Sequence, residues 1–138
     1  MRWIHRCHAY LSPHGLQVAC GTDEGSILVW DLGTARKVSN LQGHCGPVWS
    51  LSYSGGSGAL LASGGADETV RLWANAEACA AALTGPEAEA AATAATATPY
   101  RALETYRTKA SPAISVYFTA RNLLLAAGAF SLEKQRGQ

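Results

Sequence analysis

The chain has 138 residues, 48% of them hydrophobic and 15% charged, with a formal net charge of +1. That length and polarity allow one ordinary core and argue against disorder throughout. A charge so near zero gives no general attraction to polyanions, so direct nucleic-acid binding is disfavoured.

The opening residues Met1-Arg2-Trp3-Ile4-His5-Arg6 are interrupted by charge and lack the apolar core of a signal peptide, so secretion is not expected. His5, Cys7 and His8 are zinc-capable types without a second ligand pair, and read as an irregular chain start. Cys7, Cys20, Cys45 and Cys79 form no C-x-x-C pair and are expected to be reduced, with Cys20 and Cys45 inside strand-like segments. No metal and no cofactor is expected.

Next comes a repeat. Ala19-Cys20-Gly21 followed by Ile27-Leu28-Val29-Trp30-Asp31 returns as Ala62-Ser63-Gly64 followed by Val70-Arg71-Leu72-Trp73-Ala74, an offset of 43 residues. That spacing fits one four-stranded propeller blade, roughly 40–45 residues, and is too long for ankyrin or tetratricopeptide units. Within it, Arg36 to Leu41 reads as a strand, Val48 to Tyr53 as another, and Ser54-Gly55-Gly56-Ser57-Gly58 as a turn. Strands are expected again from Ala59 to Ala62 and from Thr69 to Trp73, around a turn at 64–68. The glycine clusters are turns rather than phosphate cradles, because no Gly-Lys-Ser/Thr follows them.

From Ala74 to Thr98, 13 of 25 residues are alanine, three are glutamate and none is Lys or Arg. Such a stretch cannot fill a sheet core and reads as a low-complexity insertion, with a helix allowed from Glu87 to Ala97. A third, distorted copy then starts at Tyr106-Arg107-Thr108-Lys109-Ala110-Ser111-Pro112, which lies 65 residues after Leu41-Gln42-Gly43-His44-Cys45-Gly46-Pro47. It continues through Val116-Tyr117-Phe118 and Leu124-Leu125-Ala126-Ala127-Gly128, with no Trp-bearing strand after it. The longest apolar run, Leu123 to Phe130, is far below the roughly 18 residues of a membrane span. The expected organisation is a first blade over 1–42, second-blade strands over 43–73, the insertion over 74–99, an outer strand and partial last blade over 100–130, and a polar tail over 131–138.

Gly43-His44, then Ser63, Asp67 and Trp73, resemble the blade of the WD-repeat family, with Gly43, Trp30 and Asp31 as further signature positions. The resemblance implies a buried hydrogen-bond chain through His44, Ser63, Asp67 and Trp73. The chemistry suits it: an imidazole can donate to a carboxylate and accept from a hydroxyl, and an indole N–H can donate to that hydroxyl. A hydrolase triad of the same His, Ser and Asp is disfavoured, since Ser63 has no G-x-S-x-G elbow and no oxyanion loop is evident. In the first copy Cys20 replaces the Ser, Glu24 stands for the Asp, and the His position falls near Arg2.

The expected fold is therefore all-β, a partial WD-repeat β-propeller of about two and a half four-stranded antiparallel blades. Thr108 to Pro112 together with Phe118 to Phe130 is similar to the C-terminal end of the propeller in the TFIID subunit 5 family. That resemblance implies a nuclear, non-catalytic scaffold whose partners are histone-fold subunits of TFIID, or of a SAGA-type complex through its paralogue. Generic WD adaptors of ubiquitin ligases or signalling, and a truncated product without function, are the alternatives. Trp49 and Arg71 are the candidate protein-binding anchors by residue type, and self-association through open propeller edges is expected of so few blades.

Overall fold

In the computed structural model, residues 8–76 and 99–129 are described. They form ten strands: β1 (His8–Leu11), β2 (Gln17–Gly21), β3 (Ser26–Asp31), β4 (Arg36–Gln42), β5 (Val48–Tyr53), β6 (Leu60–Gly65), β7 (Thr69–Asn75), β8 (Tyr100–Arg107), β9 (Ala113–Phe118) and β10 (Leu124–Gly128). Consecutive strands pair antiparallel into two four-stranded sheets, β1-β2-β3-β4 and β5-β6-β7-β8, and a two-stranded sheet β9-β10. The architecture is a partial β-propeller of stacked blades.

The period of two along each strand decides which neighbour each residue meets. In the first blade Ala19, Ile27, Val29 and Leu41 point at the second, where they are buried with Val48, Leu51, Tyr53, Leu61 and Trp73. The opposite face of the second blade puts Ala62 and Val70 against Ala113, Val116 and Phe118 of the third. Both interfaces depend on a glycine. A Cβ on Gly21 would lie 2.8 Å from the Val48 side chain, and one on Gly64 would lie 2.9 Å from Ala113 and Val116. These two glycines are 43 residues apart, and each leaves room for the first strand of the next blade.

Polar groups sew the second blade to the third. The Val116 amide donates to Ser50 Oγ and the Phe118 amide to Ser52 Oγ, both at 3.0 Å. At the other end of the first interface, Tyr100 Oη donates to Gln17 Oε1 at 2.8 Å, lies 3.2 Å from Tyr53 Oη and accepts from Asn75 Nδ2 at 3.3 Å. Burial, followed by the neighbouring Tyr100, pushes the Tyr53 hydroxyl far above its ordinary range, so it stays a neutral hydrogen-bonding group.

Three sequence expectations need correction. The turn expected over 64–68 is shorter, because Gly64 and Gly65 belong to β6 and pair with Val70 and Val48. Cys45 is not in a strand: it lies exposed in the turn between β4 and β5, where its backbone N–H donates to Asp67 Oδ2 at 3.0 Å. The strand after the second turn does not stop at Trp73, because Ala74 and Asn75 pair with Arg101 and Tyr100 of β8. The helix expected over 87–97, together with Cys7 and Cys79, lies outside the described residues. Among the described residues no helix is long and apolar enough to cross a membrane.

Candidate functional site

The second blade holds a continuous hydrogen-bond chain in the layer that faces the first. Ser63 on β6 and Trp73 on β7 are placed by the antiparallel register, which sets Ser63 opposite Arg71 and Leu61 opposite Trp73. Trp73 Nε1–H donates to Ser63 Oγ at 3.0 Å, and Ser63 Oγ lies 2.7 Å from His44 Nε2. His44 Nδ1 lies 3.0 Å from Asp67 Oδ1 and 3.1 Å from Oδ2. Because a carboxylate only accepts, Nδ1 carries the proton, and Nε2 then accepts from the Ser63 hydroxyl. Every polar atom of the chain has a partner.

Thr69, which was not a candidate from the sequence, extends this network. Its hydroxyl donates to Asp67 Oδ1 at 2.8 Å and its amide reaches the same oxygen at 3.3 Å. The readable signal was Asp-x-Thr at the start of a strand, an arrangement in which a carboxylate accepts from backbone and hydroxyl two residues on. Gly65 was equally unmarked; a Cβ there would stand 2.9 Å from His44 Nδ1 and 3.0 Å from Asp67 Oδ1.

The electrostatics favour a neutral imidazole. Burial lowers the His44 pKa, Asp67 acts against it, and the net direction is down. For Asp67, burial raises the pKa but is outweighed by hydrogen bonds from His44, the Cys45 amide and Thr69, so the carboxyl sits below its usual range. The pair is thus a neutral ring donating to a carboxylate rather than an ion pair at neutral pH. As a triad it would need a free nucleophile, yet the Ser63 side chain is wholly buried and its oxygen already has two partners.

The remaining candidates are dispersed. Gly43 lies beneath Arg71: a Cβ at position 43 would come within 2.8 Å of the guanidinium and 3.3 Å of the Trp73 ring. Arg71 is half-buried at the boundary of the first two blades, and its Nε has no hydrogen-bond partner. Trp49 is half-buried at a β-bulge, skipped by the register that pairs Val48 with Gly65 and Ser50 with Gly64. Trp30 is 39% exposed on the outer face of the first blade. Asp31 closes the β3–β4 turn, its Oδ1 accepting from the Thr34 amide at 2.7 Å and hydroxyl at 2.9 Å, which lowers its pKa. No group of three or more His, Cys, Asp or Glu suited to a metal occurs among the described residues.

The stacked four-stranded antiparallel sheets are those of a segment of a β-propeller. Residues 35–74 match the family model described as WD domain, G-beta repeat. Periodic tryptophan protein 2 homolog of Schizosaccharomyces pombe is 45% identical over 64 residues, 46% of this chain and 7% of that protein. Pre-mRNA-processing factor 19 of Oryza sativa subsp. japonica is 38% identical over 65 residues, 47% of this chain and 12% of that protein. Among solved structures, the Myceliophthora thermophila Cps50 (Swd1) β-propeller domain superposes with a TM-score of 0.66 at 20% identity, covering 94% of this chain and 33% of that one. U3-55K gives 0.65 at 20%, covering 87% and 30%. The chain thus spans only about a tenth of the length of these curated relatives. Neither is a TFIID subunit, so the family of the repeat is supported and the narrower likeness is not.

Proposed function

We propose that this chain is a non-catalytic protein-interaction scaffold. The observation that carries this reading is the closed hydrogen-bond chain: His44, Ser63, Asp67, Thr69 and Trp73 spend their polar atoms on one another, so they hold the blade and offer no free base or nucleophile. What remains is recognition through loops at the strand ends, which a rigid blade positions. The turns between β4 and β5 and between β6 and β7, inside the stretches Gly43–Val48 and Gly64–Thr69, are of that kind here, with Trp49 beside the first as the aromatic anchor. Arg71 supports the first loop from below, at Gly43.

The finer reading rests on the tail, Thr108 to Phe130, and assigns histone-fold subunits of TFIID or a SAGA-type complex as partners in the nucleus. Its test is retention of the purified chain on immobilised histone-fold subunit pairs from each complex, beside Trp49→Ala. Saturable retention weakened about tenfold or more by Trp49→Ala is expected of a hot-spot aromatic. No retention on any pair overturns the TFIID and SAGA assignment. Retention indifferent to Trp49→Ala overturns the role of that anchor.

A further inference from the structure

Between the two four-stranded blades, the outer strands β4 and β8 part from each other. Trp73 is 3% exposed against the first blade, yet every residue of β8 after Tyr100 is exposed, including Ala102 directly opposite that tryptophan. On β4, Leu41 is buried while Asn40 and Gln42 beside it are exposed. Close packing of the first blade on the second therefore ends at β7, and a groove runs outward between β4 and β8. The chain joining β7 to β8 leaves and returns at Ala76 and Pro99, at the opposite end of these strands from Thr69 and Arg107.

Two cations stand on the second-blade wall of that groove. Register sets Arg71 opposite Thr105 and Thr69 opposite Arg107, and directly opposed residues share a face. Thr69 and Trp73 on that face turn toward His44 and the first blade, so Arg71 and Arg107 do too. As diagonal neighbours their Cα atoms are roughly 7–8 Å apart, near enough for two long side chains to meet on one group. Neither side chain forms an ion pair or a hydrogen bond among the described residues. Arg71 is held by packing instead: its Nε is buried without a partner under Gly43 and beside the Trp73 ring, while its terminal nitrogens are not buried. Asp67 gives its two oxygens to His44, the Cys45 amide and Thr69, and β4 carries Arg36 and Lys37 but no acid. The first blade shows that blade geometry does not call for this pair. There Ser26 opposes Gln42 and Leu28 opposes Asn40, so the sites of Arg71, Thr105 and Arg107 hold the uncharged Leu28, Asn40 and Gln42.

We infer that the groove between β4 and β8 takes an acidic segment of a protein partner, with Arg71 and Arg107 converging on one carboxylate and the Thr105 hydroxyl donating to it. A guanidinium presents paired N–H donors that match the two oxygens of a carboxylate. Because packing already fixes Arg71, less side-chain freedom is lost when the acid docks than for an exposed pair. Two cations fall well short of the row of phosphate contacts that a nucleic acid needs, which favours a single acidic side chain over a polyanion. The inference rests on the protein-binding reading above but uses a different surface from Trp49, which lies on β5.

The peptide Gly-Glu-Ala-Glu-Ala-Glu-Gly, titrated into the nitrogen-15-labelled 138-residue chain, is the probe, with its glutamine counterpart and a phosphoserine counterpart beside it. Saturable shifts of the Arg71 Nε–H signal and of the Thr105 and Arg107 amides are expected with the glutamate peptide, and none with the glutamine peptide. Raising salt from about 50 to about 300 mM should weaken the response. Arg107→Glu changes an exposed residue and should weaken binding about fivefold or more. Arg71→Leu, which installs the first blade's own residue, should do the same with the rest of the spectrum kept. An unmoved Arg71 signal, equal shifts with the glutamine peptide, a response to the phosphoserine peptide alone, or binding indifferent to both variants would each overturn the inference. Any of these with Trp49-dependent retention intact leaves the scaffold reading standing.

Discussion

The first and second blades carry the same strand order and the same Trp-bearing third strand, yet Trp30 is 39% exposed and Trp73 is 3% exposed. The difference does not lie within the blades. Trp73 points at the first blade and packs with Ile27, Val29 and Leu41, whereas Trp30 points away from the second blade, on the side where Leu11 is also 57% exposed. A blade's tryptophan is thus buried by the blade before it. Polar wiring follows the same division. Ser63 has His44 and Trp73 as partners, while its counterpart Cys20 is a half-buried thiol.

The comparison breaks most visibly at the two tryptophans. Trp73→Ala should lower unfolding free energy by about 3–5 kcal/mol, since it opens a cavity and strips a donor from Ser63, and Trp30→Ala by less than about 1 kcal/mol. Paired urea titrations measure both, and equal losses would mean that the first blade's outer face is covered in solution. Next in size, Ser63→Ala should cost about 1–3 kcal/mol, because it leaves His44 Nε2 and Trp73 Nε1–H buried without a partner. Cys20→Ser should change stability little, and thermal melts of the two variants side by side decide it.

Acid should weaken the second blade in two stages. His44 has a folded pKa below its ordinary 6.5, so its contribution is present above that value and fades as pH falls below it. The Asp67 pKa is also depressed, so its contribution holds above the ordinary carboxylate range, near 3.8, and is lost at lower pH. Melting temperature followed from pH 8 to pH 3 should start falling near pH 6.5, and His44→Gln should remove that first stage. The smallest effect concerns the turns before the third strands. Gly25 has φ 88° in the first blade, and Glu68, 43 residues on, adopts φ 61° in the second. Glu68→Gly should relieve left-handed strain and raise stability by up to about 1 kcal/mol, within reach of calorimetry.

Repeat spacing made the blades legible, because a Trp strand returning after 43 residues requires the same alternation of faces each time. The members of the hydrogen-bond chain were named instead by their resemblance to the WD-repeat blade, since the first copy has Cys20 and Glu24 at two of those positions. What spacing could not carry was anything set by approach across an interface. Gly21 and Gly64 look like ordinary strand glycines until the next blade's Val48 and Ala113 are seen against them. Thr69 resembled any β-branched residue of a strand, and Cys45 looked buried because cysteines usually are. The position after each tryptophan, Asp31 in the first blade and Ala74 in the second, offers a related lesson. Asp31 closes a tight turn, whereas Ala74 needs no such carboxylate, because β7 and β8 are not joined by one.

β7 and β8 stay tied to each other at the mouth of the stretch that joins them. The Ala76 amide donates to the Pro99 carbonyl at 2.8 Å, and Asn75 reaches Tyr100, which in turn holds Gln17 of the neighbouring sheet. With both ends fastened at the mouth, lengthening the intervening chain raises only the slowly growing entropy of loop closure. That makes the mouth a natural splice site, where a fluorescent reporter or a second binding module could be grafted with its own ends close together and the blade beneath it unaltered.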